Sequence, residues 1–353
     1  MIPTSDSISP AWLTEQLNRH GVEGTVSGYD AQQIGTGQIG KCVRYALEYA
    51  SGTGPASVVA KFPSDDPTSR ATGVVLRNFL KEVRFYQELQ SRVQIRTPFC
   101  YYAEIVDEGP EFAVLMEDLS PAQQGDQLEG CDADVARAAV LELVGLHAPG
   151  WCDTSLGELD FLKPGDAADT GVMRELYNSQ LPGFLDRYGP ELESDERDII
   201  AAVGEAREAP LYRSTPETFS LVHIDYRLDN LLIHRSADGI EVTAVDWQSI
   251  GLGAPLNDVA YFLGAGMLPE PRRGVEESIV EAYHDRLAAV GVTDFDAAQC
   301  WRAYREGTFA GFGVTVIASM LVQRTERGDQ MFTAMARRHA RHALDLNGAE
   351  FLT

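Results

Sequence analysis

The chain has 353 residues, enough for one large domain or two of ordinary size, and 44% apolar content can build a substantial core. It carries 53 acidic against 29 basic residues, a net charge of −24, which argues against nucleic acid as a partner, since that binding relies on Lys and Arg neutralising phosphates. Five cysteines, an odd count with no C-x-x-C spacing, exclude a disulfide framework and a zinc site and point to a reducing, cytoplasmic setting.

The N-terminus, MIPTSDSISPAWL, lacks a basic region followed by an apolar run and does not read as a signal peptide. The first distinctive stretch is IGTGQIGKC, Ile34 to Cys42. Gly35, Gly37 and Gly40 fit G-x-G-x-x-G, while Gly35, Gly40 and Lys41 fit the start of a P-loop. The residues after Cys42 decide between them. Val43, Tyr45, Leu47 and Tyr49 alternate with Arg44, Ala46 and Glu48, a strand pattern, and the turn SGTGP leads into a second strand ending at Lys61 and Phe62. P-loops and dinucleotide turns end instead on a helix N-terminus, and a P-loop needs Ser or Thr where this chain has Cys42. A glycine loop between two antiparallel strands is the arrangement that covers nucleotide phosphates in kinases; a plain Gly-rich hairpin is the competing reading.

Further along, Leu76, Phe79, Leu80, Val83 and Tyr86 fall on one stripe and predict a helix over Val74 to Arg92. Lys61 ends an otherwise apolar strand, where an unpaired charge is costly, so it needs an anion. Glu82, at the edge of the helix stripe, is the expected partner; Glu88 falls on the solvent side. Two strands flank the turn Asp107 to Glu111. Asp118 reads as a helix cap. After Leu119 a polar loop, Pro121 to Asp132, precedes a helix over Ala133 to His147, and the remainder is mostly helix and loop. The expected division is a small β-rich N-lobe, 1–118, and a large α-helical C-lobe, 119–353.

In the C-lobe, LVHIDYRLDNLLIH contains H-x-D-x-x-x-x-N at His223, Asp225 and Asn230, and the strand EVTAV ends in Asp246. Phosphoryl transfer calls for a carboxylate facing the acceptor hydroxyl, and an amide oxygen and a second carboxylate for magnesium. Asp225 is the expected base, and Asn230 and Asp246 the expected magnesium ligands. His223 reads as a brace of the loop. Arg227 reads either as a partner of the γ-phosphate or as an ordinary ion-paired side chain. His339 and His342, on an Arg-rich helix, read as surface. The apolar run Gly311 to Val322 is shorter than the roughly 20 residues that span a bilayer and reads as a buried helix, so no membrane is expected.

In these motifs the chain resembles the aminoglycoside phosphotransferase and choline kinase group, over about Ile34 to Leu263. VHIDYRLDNLLI is similar to that group's catalytic loop, VDW to its metal-binding segment, PLNDVAYFL to its short downstream motif and FLKEVRFYQEL to its first helix. The DWQ triplet and FYQEL also resemble the ecdysteroid-kinase-like branch. Ile224 departs from the pattern, standing where Gly is usual, and DWQ replaces the DFG of protein kinases.

The resemblance implies an α+β, protein-kinase-like, two-lobed fold. It implies transfer of the γ-phosphoryl group of ATP or GTP, with magnesium, to a hydroxyl of a small molecule. Lys61 would contact the α- and β-phosphates, the glycine loop would cap them, Glu117 and its neighbours would offer backbone groups to the base, and Asp258 would hold the catalytic loop. The acceptor is expected beside Trp301, Tyr304, Phe309 and Phe312. That aromatic lining suits an alcohol with an apolar body, whereas the acidic charge suits a cationic one. A nucleotide-binding protein without catalysis, or a protein kinase, are the competing classes.

Overall fold

The computed structural model describes residues 2–35, 39–163, 170–212 and 217–353. The chain divides into two units: Met1–Arg92 with Thr97–Pro121 and Asp246–Ser249, and Val93–Arg96 with Ala122–Val245 and Ile250–Thr353. The architecture is α+β and protein-kinase-like.

The first unit is built on a five-stranded antiparallel sheet. Helix α1 (Pro10–Arg19) starts where Ser9 accepts the Trp12 N–H and Pro10 presets the first turn. It is followed by β1 (Gly24–Ile34), β2 (Gly40–Gly52) and β3 (Ser57–Pro63), then α2 (Pro67–Val75), α3 (Asn78–Arg84), β4 (Cys100–Ile105) and β5 (Phe112–Glu117). The sheet order is β1-β2-β3-β5-β4. Alternation sends Val58, Ala60 and Phe62 of β3 into a core with Leu13, Leu17, Tyr45 and Leu115. Lys61, between Ala60 and Phe62, therefore points to the opposite face.

The helix expected over Val74 to Arg92 is broken. Arg77 adopts a left-handed φ of 58°, ending α2 and starting α3 at a new angle. Leu76 is consequently exposed (53%), while Phe79, Leu80 and Val83 are buried. Beyond α3 the chain widens into a π turn, Phe85–Leu89, that buries Phe85, Tyr86 and Leu89. The Phe85 ring stacks on Trp247 at 3.8 Å, and the Asn78 amide donates to the Gln248 carbonyl, which secures Asp246–Ser249 to this unit.

The second unit is mainly helical. In chain order it contains β6 (Gln123–Gln124), α4 (Ala133–His147), α5 (Thr170–Tyr188), α6 (Ser194–Glu205), β7 (Ser220–Val222), β8 (Leu231–Ser236), β9 (Gly239–Ala244) and β10 (Gly251–Gly253). The chain continues through α7 (Pro255–Gly266), α8 (Pro269–Ala289), α9 (Ala297–Gly307), α10 (Ala310–Phe312), a π turn at Gly313–Ala318, α11 (Ser319–Leu321) and α12 (Glu326–Asp345). Helix α7 is apolar on nearly every side and buried accordingly. No described helix is long and apolar enough to cross a membrane.

Tyr304, Phe309 and Phe312, expected beside an acceptor, are fully buried, the latter two packed among Phe184, Val316 and Ala340. They fill the core where α9 gives way to α10. The two C-terminal histidines are likewise not at the surface: His339 and His342 are both fully buried.

Candidate functional site

In the first unit the register of β2 on β3 places Cys42 opposite Lys61 and Lys41 opposite Phe62. Neighbouring residues of a strand face opposite ways, so Lys41 and Lys61 lie on different faces of the sheet. Lys41 pairs at 2.9 Å with the exposed Asp65. Lys61 is buried, and its ammonium meets Glu82 at 2.5 Å and Asp246 at 2.7 Å. Burial pulls that ammonium down, but the charges of Asp246 and Glu82 outweigh it and keep Lys61 protonated. Burial also pushes Glu82 up, to about 7, against the pull of Lys61, and the nearby Cys42 thiol up to about 11.

The glycines have separate reasons. A Cβ on Gly40 would come within 2.7 Å of the Lys61 stem, so Gly40 clears the path of that side chain. Gly35 sits at φ 73°, a backbone that other residues rarely adopt. Gly37 lies outside the described residues. Asp246 also has a left-handed φ, 67°, tolerable for Asp, in the turn after β9. Glu117 closes β5 and donates its N–H to the Phe99 carbonyl at 2.8 Å. Asp118 caps no helix: it is ion-paired to Arg44 at 2.7 Å and accepts from the Ser57 hydroxyl at 2.6 Å. The sequence offered no sign of these partners, because both come from strands far upstream. Glu88 is half-buried and paired with Arg84 at 3.3 Å.

In the second unit H-x-D-x-x-x-x-N forms a compact loop after β7. Asp258, on the first turn of α7 and 1% exposed, accepts the N–H of His223 at 2.7 Å and of Ile224 at 2.9 Å. The His223 ring meets the Val245 carbonyl at 3.0 Å. Ile224 takes φ 71°, the left-handed region, where a β-branched side chain is strained. The departure from Gly is thus absorbed as strain, with Asp258 fixing the two consecutive N–H groups that lead into the Ile224 turn.

The Asp225 carboxylate is held at both oxygens: the Tyr261 hydroxyl donates to Oδ1 and the Asn230 amide to Oδ2, each at 2.9 Å. Asn230 spends its amide nitrogen on Asp225, so its carbonyl oxygen is the atom a hard cation could take. Arg227 lies 3.2 Å from Asp225 and also binds Asp229. Sequence reasoning passed over Tyr261, His147 and Asp229. Tyr261 had one available signal: it comes three residues after Asp258, one helical turn, on the same face. His147, buried, reaches Asp258 at 3.3 Å and Tyr283 at 2.7 Å.

Among the described residues no group of three or more His, Cys, Asp and Glu gathers to hold a metal. Each unit offers a hard oxygen donor of the kind magnesium takes, the Asp246 carboxylate in the first and the Asn230 amide oxygen in the second.

Comparison with known proteins bears on the fold and the family. The GDP complex of wild-type aminoglycoside 2'-phosphotransferase-IIIa shares the fold with a TM-score of 0.55 at 14% identity, covering 94% of this chain and 99% of that one. An ethanolamine kinase of Plasmodium vivax gives 0.51 at 10% identity, over 88% and 81% of the two chains. The uncharacterized oxidoreductase dhs-27 of Caenorhabditis elegans is 23% identical over 340 residues; the match takes in 86% of this chain but only 41% of that protein, so the chain spans about two fifths of its length. The ecdysteroid kinase-like family matches residues 37–291, well over half of the 353. The chain belongs to the ecdysteroid kinase-like family.

Proposed function

We propose that the protein is a magnesium-dependent phosphotransferase that moves the γ-phosphoryl group of ATP or GTP to a hydroxyl of a small molecule. The observation that carries this reading is the buried Lys61 held between Glu82 and Asp246. A lysine kept charged in a buried site by two carboxylates has the charge and the shelter to bind the α- and β-phosphates. The neighbours named as an aminoglycoside phosphotransferase and an ethanolamine kinase support the same class, as does the GDP of the first.

Asp225 is the proposed base. It takes the acceptor's proton as the acceptor oxygen bonds to the γ-phosphorus and the bond to the β-phosphate oxygen breaks, releasing the nucleoside diphosphate. General base catalysis typically supplies ~10²–10⁴-fold. Asp246 and Asn230 are the residues proposed to hold magnesium, which when bound neutralises charge on the phosphates. Gly35, Gly37 and Gly40 cap the phosphates. Glu117 marks the strand end that meets the base; its N–H is engaged by Phe99, which leaves recognition to the neighbouring backbone groups. For Arg227, the two carboxylate partners favour holding Asp225 and Asp229 over the γ-phosphate. His223 and Asp258 support the loop. The five free cysteines fit a cytoplasmic setting.

The test is nucleotide turnover with a panel of alcohols and amino alcohols, with and without magnesium, on the parent and Asp246→Ala. Turnover that needs both magnesium and Asp246 is expected. Parental rates in Asp246→Ala would refute the metal assignment, and nucleotide binding without turnover on any acceptor would favour the non-catalytic class.

A further inference from the structure

We infer that Tyr261 is a positioning residue for Asp225; this rests on the phosphotransfer proposed at Asp225. One helix grips the loop twice. Asp258 of α7 holds its backbone at His223 and Ile224, and one turn later Tyr261 holds the Asp225 side chain through Oδ1. An ionised carboxylate only accepts, so the phenol is the donor. With Asn230 on Oδ2 and the Arg227 Nε 3.2 Å from Oδ1 and 3.3 Å from Oδ2, the carboxylate is gripped from three sides and cannot rotate freely.

The packing behind Tyr261 keeps its hydroxyl in place. Its ring is 1% exposed and lies against His339 of α12, centroids 5.2 Å apart and planes 26° from parallel. The His339 ring is fully buried, and neither ring nitrogen has a hydrogen-bond partner among the described residues, so what it offers Tyr261 is its face. Two glycines make room for it. A Cβ on Gly311 would fall 2.3 Å from the imidazole, and one on Gly264, of α7 itself, 2.9 Å. For packing alone, Phe would serve at position 261 as well as Tyr; the hydroxyl is the only atom it would lack, and that atom is aimed at Asp225.

Tyr261→Phe separates the two roles. The expected result is a roughly tenfold lower kcat, with KM for nucleotide and acceptor within about twofold of the parent and a urea midpoint lowered only by the loss of one hydrogen bond. Parental kcat, or a change confined to KM, would overturn the inference. Asp225→Ala is run beside it: if that variant keeps parental turnover, the phosphotransfer reading is what fails. A readout free of turnover is the unfolding cycle of Tyr261→Phe, Asp225→Ala and the double variant in urea. Coupling of at least about fivefold in the unfolding constant is expected, and additive losses would overturn the inference whether or not an acceptor has been found.

Discussion

Replacing Lys61 by Met keeps most of the stem and removes the charge. Glu82, whose side chain is 2% exposed, then loses the ammonium 2.5 Å away. It must stay charged without a partner or take up a proton. From an ordinary carboxyl value of 4.5, protonation at pH 7 costs about 1.4 kcal/mol for each of 2.5 units, or about 3.5 kcal/mol, most of which the parent also bears because its Glu82 is already raised to about 7. The loss specific to the variant is that of the charge between two carboxylates, for which the roughly 3–5 kcal/mol typical of breaking one side of a buried pair is the guide. The sign comes from proton counts. In the parent Glu82 already sits at about 7, so between 4.5 and 7 both folded states hold a proton that the unfolded chain gives up and the loss is nearly flat; above 7 the parent's Glu82 ionises against Lys61 while the variant's keeps its proton, so the destabilisation grows as pH rises above 7. Lys61→Met with Glu82→Gln removes both charges and should recover most of the loss. Urea unfolding of the parent, Lys61→Met and the double variant at about pH 7 and about pH 8.5 measures this. A loss under about 1 kcal/mol at pH 7, a loss independent of pH, or a double variant worse than the single would refute the reasoning.

Lys41, on the other face of the sheet and paired, among the described residues, to an exposed Asp65, should be dispensable: Lys41→Ala is expected to cost less than about 1 kcal/mol in kcat/KM and Lys61→Ala orders of magnitude more, measured with one acceptor. Ile224→Gly should be as stable as the parent or up to about 1 kcal/mol more so, since relief of roughly 1–2 kcal/mol of left-handed strain exceeds the entropy cost of Gly; a clear fall in melting temperature would show that φ 71° is not strained. Burial holds His339 down at about 3 and His342 at about 4, the latter with Glu276 opposing, while both return to 6.5 when unfolded. The unfolded chain therefore binds more protons below 6.5, and stability present above that value is lost as pH falls toward 4, by about 2 kcal/mol per histidine at pH 5; His339→Leu should lose about half of this slope, and urea midpoints equal at pH 7 and pH 5 in both proteins would contradict it.

The fold class was legible because its signals are local. Alternation from Val43 to Tyr49 and the SGTGP turn give the β2–β3 hairpin, and a charge ending an apolar strand gives Lys61 its need for an anion. The edge of a helix stripe then gives Glu82. What escaped the sequence depends on distant partners or on backbone angles. The apolar stripe runs through Arg77, so nothing in it announces the left-handed break there. Helix α12 looks solvated because it is rich in Arg, yet Arg338 donates to the carbonyls of Gln127, Leu128 and Ala265, and Asp345 pairs with the buried Arg272. The face that carries Arg338 is therefore turned inward and the histidines beside it are buried, while Arg327 and Arg337 stay exposed. Tyr261 shares a motif with Asp258, but its meeting with Asp225, 36 residues away, exists only in the folded chain.

Four residues, Asp246–Ser249, belong to the first unit although the chain reaches them only after traversing most of the second. A fragment ending at Pro121 would keep the whole five-stranded sheet and still be unfinished. Phe85 would show water the face that Trp247 covers, and Lys61 would retain one counter-charge of two. The unit cannot be excised and grafted as a contiguous cassette. During synthesis the same gap becomes a delay: roughly 125 residues separate Pro121 from Asp246, on the order of ten seconds at ribosomal rates of about 5–20 residues per second. For that interval the nascent sheet carries a lysine with one of its two carboxylate partners, and adding residues 246–249 to the fragment as a separate peptide is the direct way to complete it.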